Sequence, residues 1–179
     1  FHEVLGVFEV VLRNALCEQL RHRHGKRTGT WLDDPTSTFD ARRIEQIKAA
    51  CRALSQKGKP LTEGHIVAEL SFGFWRFLLS KRYQNTLWAP HLRKAFPGMK
   101  PQRREMVYKH VEALLTLRNR IAHHEPIHRS HLADLHAAML LVTSWIDPSM
   151  SNWLTDLSRV PSVLAAKPQS GSGSGGRSS

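Results

Sequence analysis

Gln102–Ala122, QRREMVYKHVEALLTLRNRIA, repeats apolar residues at intervals of three and four over 21 positions, and its reading decides the fold. Fully helical, it would run roughly 31 Å. Counted at about 100° per residue from Val107, the side chains of Val111, Leu114, Leu115, Ile121 and Ala122 stay within about 80° of one line. Pro101 suits a first turn, and Pro126 ends the helix. Arg118 lies only about 20° from the centre of the apolar stripe. A guanidinium keeps its charge in a protein and is costly to bury unpaired. A carboxylate inside the fold, a partner subunit laid along the stripe, or a bound phosphate taking the bidentate fork would each answer it.

The same period extends on both sides. Val4, Val7, Phe8, Val11, Leu12, Ala15 and Leu16 make one stripe of a long first helix that Gly25 can close. Thr28–Thr38, rich in Gly, Asp, Pro and Ser, reads as a loop. Asp40 then reads as the cap of a helix over Ala41–Gln56, and Gly58 with Pro60 closes that segment. Thr62 with Glu63 starts another segment, running through Leu70 to Leu79, with Gly73 a point of bending or separation. A short helix is expected over Leu87–Ala95, and a long one over Ser130–Ile146 that stops at Asp147–Pro148. No strand alternation and no internal repeat is found. The expectation is an all-α, single-domain helical bundle over 1–165, followed by a flexible Gly/Ser-rich tail or expression linker over 166–179.

The 179 residues carry 26 Lys+Arg against 15 Asp+Glu, a formal charge of +11. Such an excess favours polyanions, with nucleic acid first, because neutralising phosphates releases condensed counterions. The longest apolar stretches, Phe72–Leu79 and Ala137–Ile146, are shorter than the ~18 residues of a membrane span. Two cysteines, Cys17 and Cys51, provide no disulfide framework and no four-Cys zinc site. A cytoplasmic location, no membrane partner and no cofactor are therefore expected. His123, His124, His128 and His131 cluster in sequence, but Pro126 breaks the helix that would align them and no HExxH pattern is present, so no metal site is assigned. Two basic runs, Arg21, Arg23, Lys26 and Arg27, and then Arg93, Lys94, Lys100, Arg103 and Arg104, are candidate RNA contacts or solvated faces. Trp75 and Trp145 lie on core stripes, whereas Trp31, in the loop, is the one tryptophan placed to stack a base.

The helix that carries Arg118 closes with Arg118-Asn119-Arg120-Ile121-Ala122-His123-His124-Glu125-Pro126. On an unbroken helix Arg118 and His123 diverge by about 140°. Pro126 disfavours helical geometry at Glu125, so the helix should end near His124 and free one or both imidazoles to turn back toward Arg118.

Arg118 to His123 resembles the arginine, short spacer, histidine motif of the HEPN superfamily of small helical domains. Phe8-Glu9-Val10-Val11-Leu12-Arg13-Asn14-Ala15 is similar to the first-helix signature of its Abi-like (abortive infection) branch, and Glu69-Leu70-Ser71-Phe72-Gly73-Phe74-Trp75 to that branch's aromatic mid-chain segment. The resemblance implies a homodimer with a composite active site and a metal-independent endoribonuclease of abortive-infection or toxin type. In that chemistry the RNA 2′-OH attacks the neighbouring phosphate and leaves 2′,3′-cyclic phosphate and 5′-OH ends. By the same resemblance His123 handles the proton, Arg118 holds the phosphate and Asn119 positions it. Glu9, Arg13, Asn14 and His124 would support them, Arg120 would face RNA, and a protein or RNA antitoxin would be a further partner. Spacing alone leaves Glu9 and Arg13, four residues apart, equally able to pair on the helix flank. The alternative from another class is a non-catalytic RNA-binding or protein-interaction module.

Overall fold

The protein is described by a computed structural model covering residues 1–25, 28–33, 35–127 and 131–166. The tail beyond these residues, with Lys26, Arg27, His128 and Ser130, lies outside them. The described residues form α1 (His2–His24), α2 (Ala41–Gln56), α3 (Glu63–Glu69), α4 (Phe72–Leu78), α5 (Arg104–Ala122), α6 (Leu132–Ile146), α7 (Pro148–Leu157) and α8 (Val160–Ala165), with no strand among them. No helix is long and apolar enough to cross a membrane among the described residues.

Helix α1 is the hub because its apolar residues recur on one face: Val4, Leu5, Phe8, Leu12, Leu16, Cys17 and Leu20 are all buried. α4, α5, α6 and α7 pack around it, α6 also packs on α5 and α7, and α2 packs on α3. The core is aromatic at its centre. Phe74 and Trp75 are fully buried edge to face, with ring centroids 5.1 Å apart, and Phe72 meets Phe8 at 6.1 Å. Burying such a side chain contributes about 1.5–3 kcal/mol, so this cluster fixes α4 against α1.

Polar caps set the helix boundaries. The Asp40 carboxylate accepts from the Arg43 amide at 3.0 Å and starts α2 where the sequence places it. Thr62 caps α3 in the same way. The break between α3 and α4 falls at Leu70–Ser71 and not at Gly73. Ser71 accepts from the Phe74 amide and starts a new helix, with Gly73 inside its first turn. The expected helix over Leu87–Ala95 is replaced by a 3₁₀ turn at Lys81–Tyr83, a π turn at Gln84–Trp88 and another 3₁₀ turn at Leu92–Ala95. Pro90 has no amide to give to an α-helical ladder, and burial of Leu87, Trp88 and Leu92 holds the irregular path. Helix α5 starts at Arg104, so Pro101 precedes it and does not occupy its first turn. Gly98 makes a close approach: its amide donates to the Trp145 carbonyl at 2.9 Å, and a Cβ there would stand 2.8 Å from the Ser144 carbonyl oxygen.

Candidate functional site

Helix α5 ends in a turn that the sequence reading located but did not resolve. His123 caps it, the His124 amide donates to the Ile121 carbonyl at 3.1 Å, and the Glu125 amide donates to the Arg120 carbonyl at 2.8 Å. This pair of bonds is the Schellman arrangement. It requires a left-handed residue after the cap, and His124 takes that position with φ of 55°. The helix therefore stops at Ala122, close to the expected place.

Upstream of this turn the α5 stripe runs past the core and meets α1. There Leu5, Gly6, Glu9, Arg118, Ile121, Ala122 and His2 line a pocket of about 230 Å³. That is somewhat below the roughly 300–1,000 Å³ of sites for drug-sized ligands. Arg118 is half exposed at its wall, and its Nε stands 3.8 Å from Oε2 of Glu9. That distance holds an ion pair but exceeds the roughly 2.7–3.2 Å of a hydrogen bond. No hydrogen bond to Arg118 is made among the described residues, so its fork of donors is unspent. Of the three answers that the sequence left open for Arg118, the internal carboxylate is present and leaves room for an anion.

Glu9 belongs to two guanidinium groups. Burial pushes its carboxyl above the ordinary 4.5, while Arg118 and, after it, Arg13 pull it down. Arg13 makes no ion pair with Glu9 within 4.0 Å, and its Nε is buried without a hydrogen-bond partner. Simple flank pairing of Glu9 with Arg13 is thus replaced by a Glu9–Arg118 contact between helices. The pocket wall itself carries one guanidinium, Arg118, and one carboxylate, Glu9.

The two motif imidazoles do not complete the pocket within one chain. His123 and His124 are exposed, and neither lines it. The turn ends the helix near the expected place, and no hydrogen bond or ion pair joins either imidazole to Arg118 among the described residues. Asn119 and Arg120 are exposed beside Arg118, and Arg120 Nε lies 3.9 Å from Glu125 Oε2. Asn14 is exposed on α1. His2 and Gly6 are pocket residues that the sequence reading missed. The signal was available, since His2, Gly6 and Glu9 are spaced by four and three and share one helix face.

Several basic candidates have internal work. Arg21 pairs with Glu63 at 2.8 Å and with Glu18 at 3.4 Å, and Arg23 donates to Thr38 at 2.6 Å. Arg104 is a correction: it is only 6% exposed and donates to the Leu79 carbonyl, Gln84 and Glu105, so it serves the interior and presents no charge to RNA. Its neighbour Arg103 is exposed. Trp31 is a second correction. It is 4% exposed, stands edge to face with Phe39 and Trp75, and donates through Nε1 to Glu63 at 2.9 Å, so no base can stack on it. The same Glu63 oxygen accepts from Arg21 and from the Cys17 thiol, and burial pushes that thiol up to about 11. Both cysteines are free. No group of three or more His, Cys, Asp or Glu side chains able to hold a metal is found among the described residues.

A second concavity adjoins the Arg118 pocket and shares His2 and Gly6 with it. This open apolar groove lies between α1 and α7 and is lined by Val7, Val10, Val11, Met150 and Trp153. Val10 and Trp153 are 41% and 49% exposed, a large apolar area to leave in water. No protein-family model, curated protein or solved structure matches the chain.

Proposed function

We propose that this chain is a metal-independent endoribonuclease of the HEPN, Abi-like kind, acting as a homodimer. One observation carries the reading: Arg118 stands at the wall of a small pocket with its hydrogen-bond donors free and only a 3.8 Å ion pair to Glu9. A guanidinium so held can take two phosphate oxygens at once and gain strength as charge builds in the transition state. The net charge of +11 favours the approach of RNA.

In the proposed step a base removes the proton from the ribose 2′-OH, and O2′ bonds to phosphorus. The bond from phosphorus to O5′ breaks, and an acid delivers a proton to O5′. His123, five residues beyond Arg118, serves one of these transfers, and Asn119 helps to position the phosphate. Because His123 lies outside the pocket of its own chain, the reading calls for a second copy. The groove of Val7, Val10, Val11, Met150 and Trp153 supports it: an apolar face contiguous with the Arg118 pocket would bring two pockets together when covered by its like. An abortive-infection or toxin setting in the cytoplasm, with an antitoxin as partner, follows from the resemblance and belongs to the proposal.

The exposed position of His123 favours a second reading, a non-catalytic RNA-binding module in which Arg118 holds phosphate and nothing is cut. Incubation of cellular RNA in EDTA with the wild type, Arg118→Ala and His123→Ala, followed by mapping of new ends, separates the two. Cyclic phosphate ends made by the wild type and lost in both variants support the nuclease. RNA retention by the wild type and His123→Ala without new ends supports the binding module.

A further inference from the structure

The reaction proposed above needs two proton transfers, and His123 can serve only one of them at a time. The Arg118 pocket has a histidine among its own lining residues. His2, at the first turn of α1, lines the same cavity as Glu9 and Arg118, whereas His123 and His124 do not. His2 and Glu9 are seven residues apart, two turns of one face and about 10 Å along the axis. Glu9 is committed to the two guanidinium groups, Arg118 and Arg13. His2 is exposed, so its ring is open to a ligand entering the pocket from solvent.

We infer that His2 is the second proton-transfer residue of this site, paired across the reacting phosphate with the His123 that a second copy of the chain brings to it; the inference rests on the ribonuclease reading. One imidazole takes the 2′-OH proton as the O2′ bond to phosphorus forms. The other gives a proton to O5′ as its bond to phosphorus breaks, and the two rings end the step with their protonation exchanged. Arg118 holds the non-bridging oxygens throughout. Neither imidazole changes oxidation state, and no further reactant is consumed.

The test measures kcat/KM against pH on a short RNA for the wild type, His2→Gln and His123→Gln, with helical content followed by circular dichroism. The wild type should give a bell-shaped profile. Each variant should fall by about 10²-fold or more, His2→Gln losing one limb of the bell and His123→Gln the opposite one, with RNA affinity within a few-fold of wild type. His2→Gln cleaving as fast as wild type overturns the inference and leaves the ribonuclease reading standing. So does a loss confined to KM with both limbs kept, because that marks a binding role. A wild type that leaves RNA uncut overturns the ribonuclease reading and this inference with it.

Discussion

Arg118 Nε and Glu9 Oε2 face one another across the α1–α5 contact at 3.8 Å, near enough for attraction between charges and too far for a hydrogen bond. The pair joins the middle of the first helix to the end of the fifth. It also leaves the guanidinium half exposed at the pocket wall.

Removal of the Glu9 charge should therefore act on ligand and fold in separable ways. Glu9→Gln is expected to tighten RNA binding several-fold at low salt, the gain shrinking as salt screens the site. Burial raises the Glu9 carboxyl above its ordinary 4.5, so the folded state holds that proton more tightly than the unfolded chain. Its contribution to stability is then most favourable below the ordinary value and declines as pH rises through the raised one. The glutamine variant lacks this decline. Urea midpoints from pH 4 to 7 should show the variant gaining on the wild type with increasing pH, and a constant difference contradicts the assignment.

His124 occupies the left-handed position of the Schellman turn, with φ of 55°, where a Cβ is disfavoured. His124→Gly is expected to raise stability by about 0.5–1 kcal/mol and His124→Val to lower it by about 1–2 kcal/mol. Chemical denaturation of both variants checks the order.

Arg104 and Arg103 are neighbours in sequence with opposite surroundings. Arg104→Ala leaves the buried Leu79 carbonyl without its donor and should cost about 1–3 kcal/mol. Arg103→Ala, at an exposed site, should stay within about 0.5 kcal/mol. The salt dependence of RNA binding should be weakened by Arg103→Ala and left unchanged by Arg104→Ala.

Glu63 Oε1 gathers Arg21 Nε, Trp31 Nε1 and the Cys17 thiol, so one carboxylate ties α1, the loop before α2 and the start of α3. Glu63→Ala removes the acceptor from a buried indole and should destabilise the protein by about 1–3 kcal/mol. Tryptophan emission should move to longer wavelength as Trp31 loses its lodging. A variant with unchanged emission and stability would show that the clamp is incidental.

Local signals told most of the fold. Asp40 and Thr62 announce α2 and α3 because a cap needs only the amides three residues on. The stripes of α1 and α5 are visible because one helix face must be apolar to pack. What escaped depends on distant partners. Trp31 stands among turn formers, and only Glu63, 32 residues away, reveals that it is buried. A run of consecutive cations cannot tell Arg103 from Arg104, since burial of the second is decided by the Leu79 carbonyl and Gln84. At the site, the α5 terminus was legible from Pro126, but the direction of the imidazoles was not. A Schellman turn is set by backbone bonds, and it left His123 and His124 exposed. Glu9 stood out as a motif residue, while His2 shares its helix face by spacing but gains its neighbour Arg118 only when α5 packs against α1.

The most direct measurement compares two oligonucleotides of one sequence with the wild-type protein in EDTA, one all RNA and one carrying a single 2′-deoxy residue at the mapped cut. The first should be cut to 2′,3′-cyclic phosphate and 5′-OH ends and the second left intact at that position, because its attacking group is missing. Equal cleavage of both, or ends bearing a 5′-phosphate, would contradict attack by the 2′-OH.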